Sequence, residues 1–285
     1  MKKPENMGLI LALAATLAYC GSNIGVRQYS DEGLTVWGIL GVRGLLAVAA
    51  AVVAAKIFKI KIWGSNKRLL ILLGFFSFLG NILLTSSITM LPLYQAVVLI
   101  YLYPAMTVPQ NYFINGSKVS RRDLGLLFLT FIGCLILVWP DASAGLNLGT
   151  GHLIGFLGAF FYALGFVLTR RLGNDNSGLE PMFYYGLWAV IFCTIGIFIF
   201  GQSPGLNSPA NYGQSVGLAF LAIFALLATY AALRWLPPFK VGIIGTLEIF
   251  VGALASWLIF DDPITLRAII GGLIILYTAF KLRQA

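Results

Sequence analysis

Leu236-Pro237-Pro238-Phe239-Lys240 opens an apolar run that continues through Glu248 to Phe260, and this stretch decides the fold. A run of that length spans a bilayer as a helix, which places Glu248 near mid-membrane with apolar turns on either side. A carboxyl at that depth is costly. It therefore faces a partner or a wet cavity, and it marks a transport or proton pathway by default. The alternative is a glutamate that is paired or protonated and only pins neighbouring helices.

The rest of the chain has the same setting. Of 285 residues, 59% are hydrophobic and 10% are charged, against about 25% charged in a soluble domain. An all-α polytopic membrane protein is expected. The formal charge of +9 could suggest nucleic acid, but the basic residues cluster between apolar runs, as membrane topology requires, so no nucleic-acid partner is expected. Cys20, Cys134 and Cys193 lie inside apolar segments with no CxxC or Cys/His spacing. They read as small core residues, with no disulfide, metal or other cofactor. The opening Met1-Lys2-Lys3-Pro4, ahead of an apolar run from Met7, imitates a signal peptide. The length of that run, and the similar runs that follow, argue for a retained first helix.

Ten apolar segments of membrane length are expected, at about 7–27, 34–55, 68–89, 92–114, 122–140, 149–170, 179–200, 214–234, 238–259 and 265–282. Several connections are a few residues long, so sequential helices are antiparallel neighbours. At Leu91-Pro92 and Leu236-Pro237-Pro238 a proline ends one helix and starts the next. With the N-terminus in the cytoplasm, the inner side carries Lys2/Lys3, Lys56/Lys59/Lys61/Lys67/Arg68, Lys118/Arg121/Arg122, Arg170/Arg171, Arg234/Lys240 and Lys281/Arg283. The outer side carries Arg27 and Arg267 beside Asp31, Glu32, Asp141, Asp261 and Asp262. That asymmetry predicts both termini in the cytoplasm.

The halves, 1–145 and 146–285, resemble each other. Gly8–Tyr19 aligns with Gly151–Tyr162, which sets Arg27 on Arg170, and Leu91-Pro92-Leu93-Tyr94-Gln95 aligns with Leu236-Pro237-Pro238-Phe239-Lys240 at nearly the same offset. Five helices is an odd number, so the second unit would enter the membrane upside down. Inverted repeats with a site at their interface characterise secondary transporters.

At these positions the chain resembles ten-helix members of the drug/metabolite transporter superfamily, EamA type, along essentially its whole length. The most specific part is Val241-Gly-Ile-Ile-Gly-Thr-Leu-Glu248-Ile-Phe, then Trp257-Leu-Ile-Phe-Asp-Asp262-Pro263-Ile-Thr265, then Ile269-Ile-Gly271-Gly272. The family often has Glu-Pro where this chain has Glu248-Ile249, and Gly-Glu-x-Leu-Thr where it has Asp261-Asp262-Pro263-Ile264-Thr265. In the first unit Pro104 is kept, and Asn115-Gly116-Ser117 replaces the acidic turn. The resemblance implies two inverted five-helix bundles around a central cavity, moving a small metabolite or drug across the inner membrane by proton-linked transport or exchange. It favours export, and it leaves the substrate open.

Arg43 sits inside the second apolar run. Either its guanidinium snorkels to the outer interface, or it clamps an anion or pairs with Glu248. Arg234 and Lys240 flank the Pro-Pro step, where they serve as positive-inside anchors or as a cytoplasmic mouth that attracts carboxylates or phosphates. An alternating cavity that wets Glu248 from one side at a time would load and release a proton. His152 falls at the external start of the sixth segment, where an interfacial role fits its depth. Ser22, Asn81, Gln110, Asn111, Tyr184, Tyr185, Trp188 and Tyr230 form a wider polar and aromatic inventory, part of which must be interfacial belt. The expected cavity residues are Tyr19, Asn23, Tyr101 and Tyr162 beside Arg43 and Glu248. Tyr19 and Asn23 lie one turn apart, and Tyr101 and Tyr103 fall on Thr246 and Glu248 in the repeat register. The patterns Gly21-x3-Gly25, Gly151-x3-Gly155 and Gly213-x3-Gly217 permit close helix approach. Monomer and homodimer both remain open.

An intramembrane lipid-modifying enzyme would need a nucleophile with its base, or a metal triad. One interfacial histidine supplies neither, and no Walker loop is present to consume ATP. A non-transporting sensor is a third reading, because transporter folds can be reused.

Overall fold

The computed structural model describes residues 3–30, 32–64, 66–91, 99–138, 149–173, 177–260 and 266–283. All regular structure among them is helical. The helices of the first half are α1 (Lys3–Ser30), α2 (Val36–Ile57), α3 (Lys67–Met90), α4 (Tyr103–Asn115) and α5 (Arg121–Val138). Those of the second are α6 (Thr150–Leu172), α7 (Leu179–Phe198), α8 (Pro209–Trp235), α9 (Pro238–Gly245), α10 (Leu247–Phe260) and α11 (Leu266–Arg283). Seven spans among the described residues are long and apolar enough to cross a membrane: α1, α2, α3, α6, α7, α8 and the stretch Pro238–Ala255 across α9 and α10. Helix α4 has 13 residues, while α5 and α11 have 18 each with basic residues at their ends. Lys2, Pro92, Asp31, Asp141, Asp261, Asp262 and Pro263, with the side chain of Arg27, lie outside the described residues.

Local chemistry sets the boundaries. Thr35 caps α2 by accepting from the Gly38 amide at 3.4 Å, Asn66 caps α3 through Leu69 N at 3.2 Å, and Ser208 caps α8 through Asn211 N at 3.2 Å. Pro209 follows Ser208 in the first turn of α8, and Pro238 opens α9 after extended Pro237. The ninth apolar segment is broken at Thr246, although Glu248 is followed by Ile249 rather than proline. The Thr246 amide is shared between the carbonyls of Gly242 at 3.1 Å and Ile243 at 3.2 Å, and its hydroxyl donates back to Ile243 O at 2.6 Å. Side-chain back-bonding of this kind accompanies the break, which forms here without a proline. The first half has a matching interruption. Residues 99–100 are helical, 101–102 form a turn, and α4 begins at Tyr103.

The helices pack in a pattern that maps onto itself when the halves are exchanged. Helix α1 lies on α8 as α6 lies on α3, α2 meets α8 as α7 meets α3, and α1 touches α9 and α10 as α6 touches α4. The pairs α2–α7, α5–α11 and α4–α9 are their own counterparts. At the α2–α7 crossing a Cβ on Gly44 would stand 2.7 Å from Ala189 Cβ, and one on Gly186 would stand 2.8 Å from Gly44 O. Only glycine permits that approach. Gly25, Gly151 and Gly155 are likewise closely packed, whereas Gly213 and Gly217 have nothing within 4 Å. One apolar core lies between α2, α3 and α7, around Leu70, Leu73, Phe78 and Met182. A second joins α8, α9, α5 and α11, around Leu233, Leu236, Ile243 and Ile275.

Candidate functional site

The break at Thr246 places Glu248 in the first turn of α10, where the helix dipole favours negative charge. Helix α1 runs beside it in fixed register. Thr16 Oγ1 lies 3.5 Å from the Ile244 carbonyl, and Cys20 Sγ lies 3.9 Å from that of Glu248. One turn further, Asn23 Nδ2 donates to Glu248 Oε1. Asn23 is exposed and Glu248 half-buried, while Ser22 and Cys20 on the same helix are buried. The amide and carboxyl therefore border open space.

Aromatic rings close on this pair. The rings of Tyr103 and Tyr162 meet edge-on at 5.1 Å, Tyr101 lies 6.5 Å from Tyr103, and Phe166 backs Tyr162 at 5.2 Å. Tyr103 Oη donates to Gly242 O at 3.3 Å, tying α4 to α9 next to the break. Tyr101, Tyr103 and Tyr162 are all within electrostatic reach of Glu248. Tyr19 is in reach of Tyr162, Tyr185, Arg43 and Glu248. Arg43 is 8% exposed. Its guanidinium is within electrostatic reach of Tyr185 and approaches Ser22 Oγ at 3.5 Å. It is an interior cation and does not snorkel to a surface. Arg43 and Glu248 each engage neutral partners, so they are not a direct ion pair.

Tyr19, Asn23, Arg43, Tyr101, Tyr162 and Glu248 thus come from five separate stretches of chain to one locus. Arg234 and Lys240 are not part of it. Lys240 is buried and pairs with Glu5 Oε1 at 3.0 Å, so a carboxylate of α1 closes over it. Arg234 lines a small space near Thr169, Gly178 and Tyr230. Arg170 anchors the end of α8, donating to the carbonyls of Leu233 at 2.8 Å and Arg234. His152 Nδ1 accepts from Gly149 N at 3.1 Å, which caps α6.

Within the wider inventory the structure separates neighbours. Tyr185 faces Arg43, whereas Tyr184 Oη sits 3.4 Å from Trp63 O and Trp188 Nε1 donates to Ile71 O at 3.1 Å. Gln110 is taken up by Phe160 O at 3.0 Å. The contributions of Tyr103 and Tyr185 were not separable by sequence from their aromatic neighbours. The signal for Tyr103 was its register on Glu248.

A break in both halves, with polar and aromatic groups converging on it, is the arrangement of a transporter repeat. The sequence model of the EamA-like transporter family matches residues 6–139 and 149–282, once in each half. The chain belongs to the EamA-like transporter family. It is a multi-pass membrane protein built from two EamA repeats. It is similar to an uncharacterized transporter of Archaeoglobus fulgidus, 24% identical over 259 residues that cover 89% of this chain and 88% of that protein. A solved crystal structure superposes with a TM-score of 0.81 at 13% identity, over 95% of this chain and 94% of that one. That likeness bears on the fold alone. In this EamA protein Glu248 comes from the broken segment of the second repeat and Asn23 from the first helix of the first.

Proposed function

We propose that the protein is a secondary active transporter that moves a small amphipathic solute, amino-acid-like in charge, across a bacterial inner membrane by alternating access. Ten crossings form two inverted five-helix units, with both termini in the cytoplasm and Glu248 as the coupling group for protons or exchange. Export is the favoured direction. The observation that carries this reading is the Asn23–Glu248 contact at the broken helix. A carboxyl bonded to one neutral donor and bordering open space can exchange that donor for water, a proton or a cationic solute group. The self-mapping packing of the helices supports two symmetry-related units, and five segments per unit makes the relation an inversion. Arg43 and Glu248, held apart on opposite neutral partners, suit a solute with one anionic and one cationic group.

The test is flux in proteoliposomes, with a mixed metabolite pool and an imposed pH gradient, for wild type and Glu248→Gln. The expected result is gradient-driven movement by wild type, and exchange without coupling by the variant. Equal behaviour of the two would make Glu248 structural and leave facilitated exchange.

A further inference from the structure

Among the buried side-chain atoms without a hydrogen-bond partner are the donors Arg43 Nε, Tyr230 Oη and Arg234 Nη2. Tyr230 and Arg234 stand four residues apart on α8, hence on one face. Both line a space of about 10 Å³ with Thr169, Leu172, Gly178 and Pro181. Tyr230 is 5% exposed and within electrostatic reach of Tyr19 and Tyr185. Tyr185 in turn is within electrostatic reach of Arg43. Arg234 and Tyr230 therefore share one space at the end of α8, separate from the central site around Arg43.

What is missing at this space is an acceptor. A guanidinium can only donate, and a phenol can donate or accept. A buried donor without an acceptor is destabilising, most of all on a charged group. The neighbouring charges do not supply the acceptor. Arg170 donates to the Leu233 and Arg234 carbonyls. Glu180, buried at the start of α7, spends its Oε2 on Ser177 N at 2.9 Å and Ser177 Oγ at 2.7 Å. The space has room for about one oxygen atom, which suits the edge of a planar carboxylate better than a tetrahedral anion.

We propose that Arg234 and Tyr230 form a second binding position for the carboxylate of a small organic acid, apart from the central site. As a stage in translocation this rests on the transporter reading; as a binding site it does not.

The test is binding of benzoate to the purified full chain in detergent, read as a saturable rise in unfolding temperature, with neutral benzamide as the isosteric control. Benzoate is expected to stabilise wild type and benzamide is not. Arg234→Gln should weaken benzoate by about tenfold, the loss of a charge-assisted hydrogen bond, and Tyr230→Phe by about threefold. Arg234→Lys should recover part of the loss, and Lys56→Gln on exposed surface should change nothing. Benzoate and benzamide acting alike, or Arg234→Gln binding benzoate as wild type does, would mean the space holds water only and would overturn the proposal. Loss of binding in Arg43→Gln but not in Arg234→Gln would assign all anion recognition to the central site and overturn it too. Benzoate binding that depends on Arg234, in a protein with no flux in liposomes, would remove the transporter reading and leave this site standing.

Discussion

Asn23 and Glu248 meet across 225 residues of sequence, and the amide is the group that orients the carboxyl. Hydrogen bonds to a charged group contribute about 1.5–3 kcal/mol, and exposure of Asn23 puts this one at the low end. Asn23→Ala is expected to lower transport about tenfold at subsaturating solute, with Asn23→Gln recovering part of it, measured as initial flux per mole of protein. Wild-type flux from Asn23→Ala would show that water replaces the amide without loss. Tyr103 is the corresponding structural test, since its hydroxyl ties α4 to Gly242. Tyr103→Phe should cost about 1 kcal/mol of stability, a single neutral hydrogen bond. Tyr103→Ala should cost about 3–5 kcal/mol, because a buried ring is removed as well. Thermal unfolding in detergent separates the two. Equal losses would mean that the hydroxyl carries the whole effect.

At the scale of elements, the break at Thr246 was obscured in sequence by the absence of proline after Glu248. Glycine-rich, β-branched Val241-Gly242-Ile243-Ile244-Gly245-Thr246 reads as one apolar run, and the interruption is visible only in the backbone, where the Thr246 amide is shared between two carbonyls. Helix crossings were partly legible. The small-residue spacing marked close contacts at Gly25, Gly151 and Gly155, but Gly21 has only ordinary contact, and Gly213/Gly217, with the same spacing, faces nothing within 4 Å. Gly44, which has no such motif, lies at the α2–α7 crossing. Gly44→Val should therefore destabilise by about 1–3 kcal/mol or prevent folding, as overpacking does. Gly217→Ala should be neutral or stabilise by about 0.5–1 kcal/mol through lower chain entropy. Unfolding temperatures in the same detergent decide between them. A neutral Gly44→Val would mean that α2 and α7 are free to separate.

At the scale of the whole molecule, the orientation rests on lysine and arginine placement, and it predicts which groups face which side. Cys20, Cys134 and Cys193 are all buried, so wild type should resist a membrane-impermeant maleimide applied to intact cells. Single cysteines then report topology. Asn207→Cys, in the exposed connection before α8, should label from outside, and Lys118→Cys, in the exposed turn between α4 and α5, only after permeabilisation. The reverse pattern would invert the assignment and with it the direction of export. The sequence by itself determined the all-helical membrane class, the two halves and the family, because these follow from hydropathy, the period of the chain and local motifs. It also nominated Glu248, Asn23, Tyr19, Tyr101, Tyr162 and Arg43, because polar groups inside apolar runs stand out one residue at a time. Only the tertiary structure decided which nominees share a locus, that Lys240 is closed by Glu5, and that Arg43 and Glu248 keep separate partners. Those outcomes depend on the angle and register at which helices pack. Backbone approach at glycines and side-chain bonding set that geometry, and the linear order of residues does not record it.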